Sequence, residues 1–146
     1  MEFSKQYLDV LEKNQLFKGI HKSEISSVLQ CLQCNIKNYK KGEIIILGGS
    51  KVHSLGIVID GGIQIVREDL GGNRMMIAGL TKGEIFAETF ACGEIDVSPV
   101  SVYASEKSTI LWILIKKIVN PCSMVCSFHS SIIMNLLELM AKKICI

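Results

Sequence analysis

Glycine-containing turns divide the middle of this chain into short β-rich runs, and this pattern constrains the fold more than any other feature. The turns are Lys41-Gly42, Gly48-Gly49, Gly61-Gly62, Gly71-Gly72 and Lys82-Gly83. The runs between them cover residues 43–47, 55–59, 63–67, 74–80, 100–103 and 109–115. Many short strands with regular turn signals predict a sandwich or barrel, and Gly71-Gly72-Asn73 after Asp69 predicts a hairpin. We therefore expect a roll of β-strands over about residues 36–117.

Helical periodicity flanks this β-region on both sides. In the first 35 residues, apolar side chains recur at helical spacing, and Ser23 is a suitable N-cap for a helix that buries Ile25 and Val28. After the β-region, Asn120 is a suitable N-cap and Pro121 fits the first helical position. The helix that follows, over residues 120–146, is apolar around more of its circumference than one buried face requires. We expect it to pair with a second copy through four side chains: Phe128, Ile132, Leu136 and Met140.

Length and composition predict one domain over residues 1–146. Apolar residues make up 49% of the chain and charged residues 21%. The net charge is only +2, and the basic residues do not form a stripe of the kind that follows a nucleic-acid backbone. No apolar run is long enough for a membrane span, and no signal peptide is evident at the N-terminus. We expect a cytoplasmic protein that does not contact membranes, with its six cysteines reduced.

A carboxylate that directly follows a short apolar strand interrupts the β-region within residues 83–104. A short strand at Ile85 and Phe86 leads to Ala87 and then to Glu88, and strict alternation resumes at Pro99 after a helical turn and a loop. This segment resembles the phosphate-binding cassette of the cyclic-nucleotide-binding domain found in bacterial transcription regulators of the CRP/FNR superfamily. The order of helix, β-roll and helix is also similar to that fold, a jelly roll (double-stranded β-helix) followed by a long dimerisation helix.

The resemblance implies a sensor domain that binds a small effector and is not an enzyme. In the family, a glycine–glutamate pair meets the ribose and an arginine–serine pair grips the phosphate. Glu88 matches the glutamate and Ala87 stands in place of the glycine, but Ser98-Pro99 replaces the arginine–serine pair. A serine cannot provide the bidentate, charge-assisted grip of a guanidinium, and proline has no N–H to donate. We therefore expect an effector other than a cyclic nucleotide.

The predicted effector site consists of six residues from the two ends of this cassette: Ala87, Glu88, Thr89, Ser98, Pro99 and Val100. Val100 and Val102 share one face of their strand, which we expect to be core. The resemblance also implies a homodimer, with DNA bound only through a helix-turn-helix domain that we expect to be absent from this chain. An equally acceptable interpretation is that Glu88 only caps the short helix, in which case the chain is a ligand-free dimerisation module.

Metal chemistry is the remaining alternative. A cupin-type centre needs several histidines among the strands, and the β-region contains only His53. Cys122, Cys126 and His129 recur at i, i+4 and i+7, so that they share a helix face and could hold a metal or a redox group. Small thiols packed in a core explain the same pattern more simply, and we expect no cofactor.

Overall fold

Two four-stranded antiparallel sheets make up the centre of the chain. The structure is a computed structural model that describes residues 4–91, 97–120 and 128–144. Within those ranges the strands are Asn35–Tyr39 (β1), Ile44–Ile46 (β2), Ser54–Asp60 (β3), Gly62–Glu68 (β4), Arg74–Thr81 (β5), Ile85–Phe86 (β6), Ser101–Ala104 (β7) and Ser108–Leu114 (β8). One sheet has the order β1-β8-β3-β6 and the other β2-β7-β4-β5. The predicted β-roll is confirmed.

The β4–β5 hairpin forms at the predicted turn because Asp69 closes it. The Asp69 carboxylate accepts hydrogen bonds from the backbone N–H of Gly71 at 2.9 Å and of Asn73 at 2.8 Å. These bonds satisfy the turn's own donors, which is why aspartate favours turns. They also hold the pKa of Asp69 below its ordinary value of 3.8, with the Asn73 backbone as the largest cause.

Side chains from both sheets form one apolar cluster. Its buried members are Tyr39, Ile46, Val52, Val58, Ile63, Phe86, Ala87, Val102, Ala104 and Ile110. Alternate residues of each strand point to opposite faces, so the period-two pattern of the sequence places one face of each strand in this core. The predicted core position of Val102 is confirmed, and Val100 is buried too.

The described helices are Lys5–Glu12 (α1), Lys22–Cys31 (α2), Glu88–Ala91 (α3), Ile115–Val119 (α4) and Phe128–Ile144 (α5), with a 3₁₀ turn at Gln15–Phe17. Among them, none is long and apolar enough to cross a membrane. Helix α4 was not expected, because its β-branched residues favour a strand. Ile115 and Ile118 are both buried, and their spacing of three residues buries them on one face only in a helix. Asn120, the predicted N-cap, is the residue that ends α4, while Pro121 and the first turn predicted after it lie outside the described residues.

Both ends of α2 are closed by local hydrogen bonds. His21, and not Ser23 as the sequence suggested, is its N-cap: the imidazole Nδ1 accepts the Ser23 N–H at 3.2 Å. At the other end, the N–H of Cys34 bonds to the carbonyl of Leu29 and that of Gln33 to the carbonyl of Gln30. This is a Schellman motif, and it requires the left-handed backbone that Gln33 adopts, with φ of 53°.

The chain divides into two compact units, one formed by Asn35–Trp112 and the other by the described residues before and after it. In the helical unit, α1 packs on α2, and α5 packs on both α4 and the 3₁₀ turn. Asn135 of α5 fixes that turn, because its side-chain amide donates to the carbonyls of Leu16 and Lys18, each at 2.8 Å. The buried amide of Asn135 is thereby satisfied, as a buried polar group must be.

Candidate functional site

Strand β6 leads into the predicted cassette, and a glycine on the neighbouring strand fixes its position. Phe86 pairs with Gly56 of β3, and its ring lies directly over that glycine. A Cβ atom at Gly56 would come within 2.4 Å of Phe86 Cζ, so only glycine leaves room for the ring. Phe86 is thus held with 1% of its surface exposed, immediately before the first residue of the predicted site.

An aromatic contact also holds Phe86. Its ring meets that of Trp112 edge to face, with centroids 5.4 Å apart and planes inclined by 72°. This is one of the two geometries that aromatic rings prefer, since it brings a positive ring edge to a negative ring face. Trp112 is itself oriented by Tyr39, because its indole N–H donates to the phenol oxygen at 3.1 Å.

Ala87 turns the chain from β6 into α3 through a left-handed backbone conformation, with φ of 68°. An L-residue with a Cβ pays roughly 1–2 kcal/mol for this conformation, which glycine adopts freely. This is the position where the family resemblance expects a glycine. The turn therefore adopts a conformation suited to that glycine although its residue is an alanine. The Ala87 methyl is buried in the apolar cluster.

Glu88 begins α3, which packs against β3. Its side chain is 1% exposed, so the predicted carboxylate of the site is buried. A buried carboxylate is stable only with hydrogen-bond donors or a cation around it, and it opposes the approach of a second negative charge. Of Thr89, the next residue of the predicted site, only the helical backbone is described.

Ser98 is fully buried, and its hydroxyl is engaged within its own turn. The Oγ atom donates to the Val100 carbonyl at 2.6 Å and accepts the Val100 N–H at 3.3 Å. The Ser98 backbone is also paired with the loop before β3, through Gly49 and Ser50. A serine has a single O–H proton, which here is already donated. Ser98 therefore stabilises the entry into β7, and it has no further proton to offer to a phosphate in this arrangement.

The two ends of the cassette contribute to the same apolar cluster, through Ala87 on one side and Val102 on the other. Residues 92–96, which connect them, lie outside the described ranges. Pro99 is exposed and Val100 is buried. The described part of the cassette thus combines one buried carboxylate with a closed serine turn.

The chain contains two arginines, and both belong to the β4–β5 hairpin. Arg74 stacks over the Tyr103 ring at 5.1 Å, donates to its hydroxyl at 3.2 Å and pairs with Glu68 at 3.4 Å. Neither Arg67 nor Arg74 is in the cassette. The guanidinium of Arg74 is committed to a surface carboxylate and an aromatic ring, as is common for exposed arginines.

Sequence reasoning missed the residues that position the cassette: Gly56, Trp112 and Tyr39. A glycine inside an apolar strand pattern was the available signal, since it indicates that something approaches the backbone closely. What approaches is a ring from another strand, and the pairing of β3 with β6 cannot be read from the separate strand patterns.

The helix residues predicted for dimerisation do not share one exposed surface. Ile132 is 0% exposed and Leu136 is 5% exposed, while Phe128 and Met140 are half-buried. Two of the four are therefore already packed within the chain. The large apolar side chains on the exposed side of α5 are instead Met134 and Leu137, with 59% and 58% of their surfaces accessible.

The alternative metal site falls mostly outside the described residues, which exclude Cys122 and Cys126 and include only the backbone of His129. Within the described ranges, no three His, Cys, Asp or Glu side chains are grouped to hold a metal. Neither Cys31 nor Cys34, near the end of α2, forms a disulfide. Burial raises the pKa of Cys34 to about 12, which keeps it protonated and unsuited to ligation as a thiolate.

Comparison with solved structures identifies the fold. The catabolite activator protein of Thermus thermophilus has a TM-score of 0.75 at 23% identity; the match covers 90% of this chain and 58% of that protein. The sensor domain of the transcriptional regulator DNR from Pseudomonas aeruginosa has a TM-score of 0.75 at 16% identity, over 98% and 91% of the two chains. The N-terminal domain of a Streptomyces coelicolor A3(2) transcriptional regulator has a TM-score of 0.71 at 16% identity, over 93% and 92%.

Sequence comparison gives the family. No curated protein sequence matches the chain significantly. The family described as "Cyclic nucleotide-binding domain" matches residues 36–120, which include β2 to β8, all of β1 except its first residue, and α4. More than half of the chain thus carries the sequence pattern of this family, and the sheets have the corresponding fold. The chain therefore belongs to the cyclic nucleotide-binding domain family.

Proposed function

We propose that this chain is the effector-sensing and dimerisation domain of a transcription regulator of the CRP/FNR type, and that its effector is not a cyclic nucleotide. The observation that carries the proposal is the cassette, which retains a buried Glu88 at a glycine-type turn and has Ser98-Pro99 in place of a phosphate-binding arginine. The solved structures with this fold that we compared are a catabolite activator protein and domains of transcriptional regulators.

Electrostatics favours an effector without a phosphate. A cyclic phosphate carries a full negative charge, and a carboxylate in a partly desolvated pocket repels it unless a cation lies between them. In family members that bind nucleotides, an arginine supplies this cation. The corresponding segment here supplies a hydroxyl, whose proton is already donated to Val100, and a proline. A neutral or cationic effector faces no such repulsion.

The mechanism of a sensor requires an effector that binds one arrangement of the domain more tightly than another. The cassette is suited to this role, because Ala87 is held in a conformation that costs an alanine free energy. In this proposal no bond is made or broken in the effector. The protein is a binding module and not an enzyme, and a cytoplasmic location follows as an expectation.

Dimerisation is proposed through the exposed side of α5. Two small exposed residues, Ser130 and Ala141, precede and follow Met134 and Leu137 on that side. The four positions are separated by four, three and four residues along the helix. That spacing forms a seam along one side of a helix, as in a coiled coil. A second copy of this chain would bury the seam, while Ile132 and Leu136 keep their places inside the chain.

A ligand-free dimerisation module is the second candidate, and it is favoured by one observation. The Ser98 hydroxyl is satisfied within its turn, as expected of a cassette that has become purely structural. In that case α5 would still pair with a second copy, and no small molecule would change the stability of the domain.

Melting of the wild type in the presence of neutral, cationic and phosphate-bearing small molecules tests the proposal. A compound that binds the folded domain raises its melting temperature. We expect such shifts from neutral or cationic compounds, with Glu88→Gln reducing them more than the paired changes Cys122→Ala and Cys126→Ala. Loss of response in the cysteine variants alone would instead support the metal or redox alternative. Dimers that respond to none of the compounds would support the ligand-free module.

A further inference from the structure

Phe86 links the cassette to the strand that leaves the β-unit. It directly precedes Ala87 and Glu88, and its ring meets Trp112 at a centroid distance of 5.4 Å. Trp112 is the last residue of the β-unit. The same strand, β8, continues to Leu114, and α4 begins at the next residue, Ile115. A displacement of Phe86 would therefore reach Trp112, which lies three residues before the first residue of α4.

Phe86 and Trp112 have little freedom to move independently. A Cβ atom at Gly56 would lie 2.4 Å from the Phe86 ring, which shows how closely the ring is seated on that strand. Trp112 is held in turn by Tyr39, whose hydroxyl accepts the indole N–H at 3.1 Å. Close-packed interiors transmit such displacements because they lack free volume to absorb them.

The other end of this pathway is also connected by packing. Helix α4 lies against α5 within the helical unit, and α5 carries the exposed seam proposed for dimerisation. At the cassette end, Ala87 has a lower-energy conformation available if its turn is released, because its left-handed backbone is disfavoured for alanine. The pathway thus begins at a residue in a disfavoured backbone conformation and ends at the helix that carries the proposed seam.

We propose that Phe86 and Trp112 are the positioning residues through which the conformation of the Ala87–Glu88 turn is passed to β8 and α4. The inference rests on the proposed sensor function, since it names the route by which that function would act. It assigns no effector contact to either aromatic residue. Their role is to couple the turn to the start of the C-terminal helices.

Phe86→Leu, studied without any effector, tests this coupling. Leucine keeps an apolar side chain but removes the ring that meets Trp112. Because Trp112 is the only tryptophan of the chain, its fluorescence reports this contact directly. We expect a shifted emission maximum and amide hydrogen exchange in Ile115–Val119 faster by about fivefold or more, the lower limit of typical coupling between sites. The hairpin strands β4 and β5 should change much less.

Val66→Ala is the matched control, because it removes apolar volume from a buried position of β4 outside the aromatic contact. Equal acceleration of α4 exchange by Val66→Ala would show a general loss of stability and would overturn the proposal. An unchanged α4 in Phe86→Leu would overturn it as well. If Phe86→Leu does not fold, Tyr39→Phe replaces it, since it removes only the hydrogen bond that orients Trp112 and should give the same pattern more weakly.

These outcomes are independent of effector binding. A domain that responds to no small molecule but shows the expected exchange pattern would refute the sensor function and leave the coupling intact. A domain that binds an effector through Glu88 but shows no coupling in Phe86→Leu would leave the function intact and refute this route.

Discussion

Gly56→Ala gives a sharp test of how the cassette is positioned. Inside a strand, replacing glycine by alanine ordinarily stabilises a protein by roughly 0.5–1 kcal/mol, because glycine loses more backbone entropy on folding. Here the new methyl would lie 2.4 Å from Phe86 Cζ and 2.6 Å from Cε1, which is closer than two non-bonded carbon atoms can approach. The ring must leave its place over β3, and we expect the sign of the effect to reverse.

The expected loss follows from what Phe86 contributes. Complete removal of a buried phenylalanine side chain costs about 3–5 kcal/mol. A displaced ring keeps part of its contacts, and the backbone gain of alanine offsets part of the loss. We estimate a net destabilisation of about 2–3 kcal/mol, which for a domain of this size lowers the melting temperature by about 4–12 °C.

Urea unfolding followed by Trp112 fluorescence and by circular dichroism measures this loss. Gly79→Ala in β5 is the control, since the nearest atom to its new methyl would be the end of the flexible, exposed Met76 side chain at 3.2 Å. It should leave stability nearly unchanged. Phe86→Leu added to Gly56→Ala should recover part of the loss by providing a narrower side chain. A Gly56→Ala variant as stable as the wild type would refute the argument.

Three further predictions concern other parts of the chain. Gln33→Gly should raise the free energy of unfolding by about 0.5–1 kcal/mol, because Gln33 is exposed and glycine adopts its φ of 53° without the cost of a Cβ. A lower free energy of unfolding, measured with urea, would contradict the Schellman motif. The pKa of Asp69 is lowered by bonds from Asn73, so its contribution to stability is complete above about pH 4 and is lost as pH falls below 3.8 through the folded-state pKa. Asp69→Asn should flatten this dependence in unfolding measured from pH 5 to pH 2, and an unchanged slope would argue against it. Met134→Glu with Leu137→Glu should convert dimers to monomers in sedimentation, whereas a monomeric wild type would disprove the α5 seam.

The strands were predictable because their signals are local. The predicted runs agree with β2, β3, β4, β5, β7 and β8 to within one or two residues, since glycine turns and period-two alternation act over a few residues. Helix α4 was missed for a tertiary reason. Three of its five residues are β-branched and Ile115 directly continues the run of β8, so that only the joint burial of Ile115 and Ile118 favours the helix.

The residues of the candidate site were predictable, but their burial and hydrogen bonds were not. The sequence placed Glu88 and Ser98 in the cassette. It could not show that Glu88 is buried or that the Ser98 proton is donated to Val100, because both depend on how the turns close. The dimer seam proposed for α5 shows the same limit, since helical periodicity identifies the apolar faces of the helix but not which of them packs within the chain.

Titration calorimetry with cyclic AMP and cyclic GMP tests the central claim most directly, which is that the cassette keeps the carboxylate of its family but lacks the cation for a phosphate. The wild-type chain should give no heat of binding at millimolar nucleotide. A regulator that binds cyclic AMP, titrated under the same conditions as a control, should give a clear heat of binding. Glu88→Gln should not create binding, because removing the repulsion does not supply a cation. A dissociation constant in the micromolar range for the wild type would contradict the account and show that another residue replaces the missing arginine.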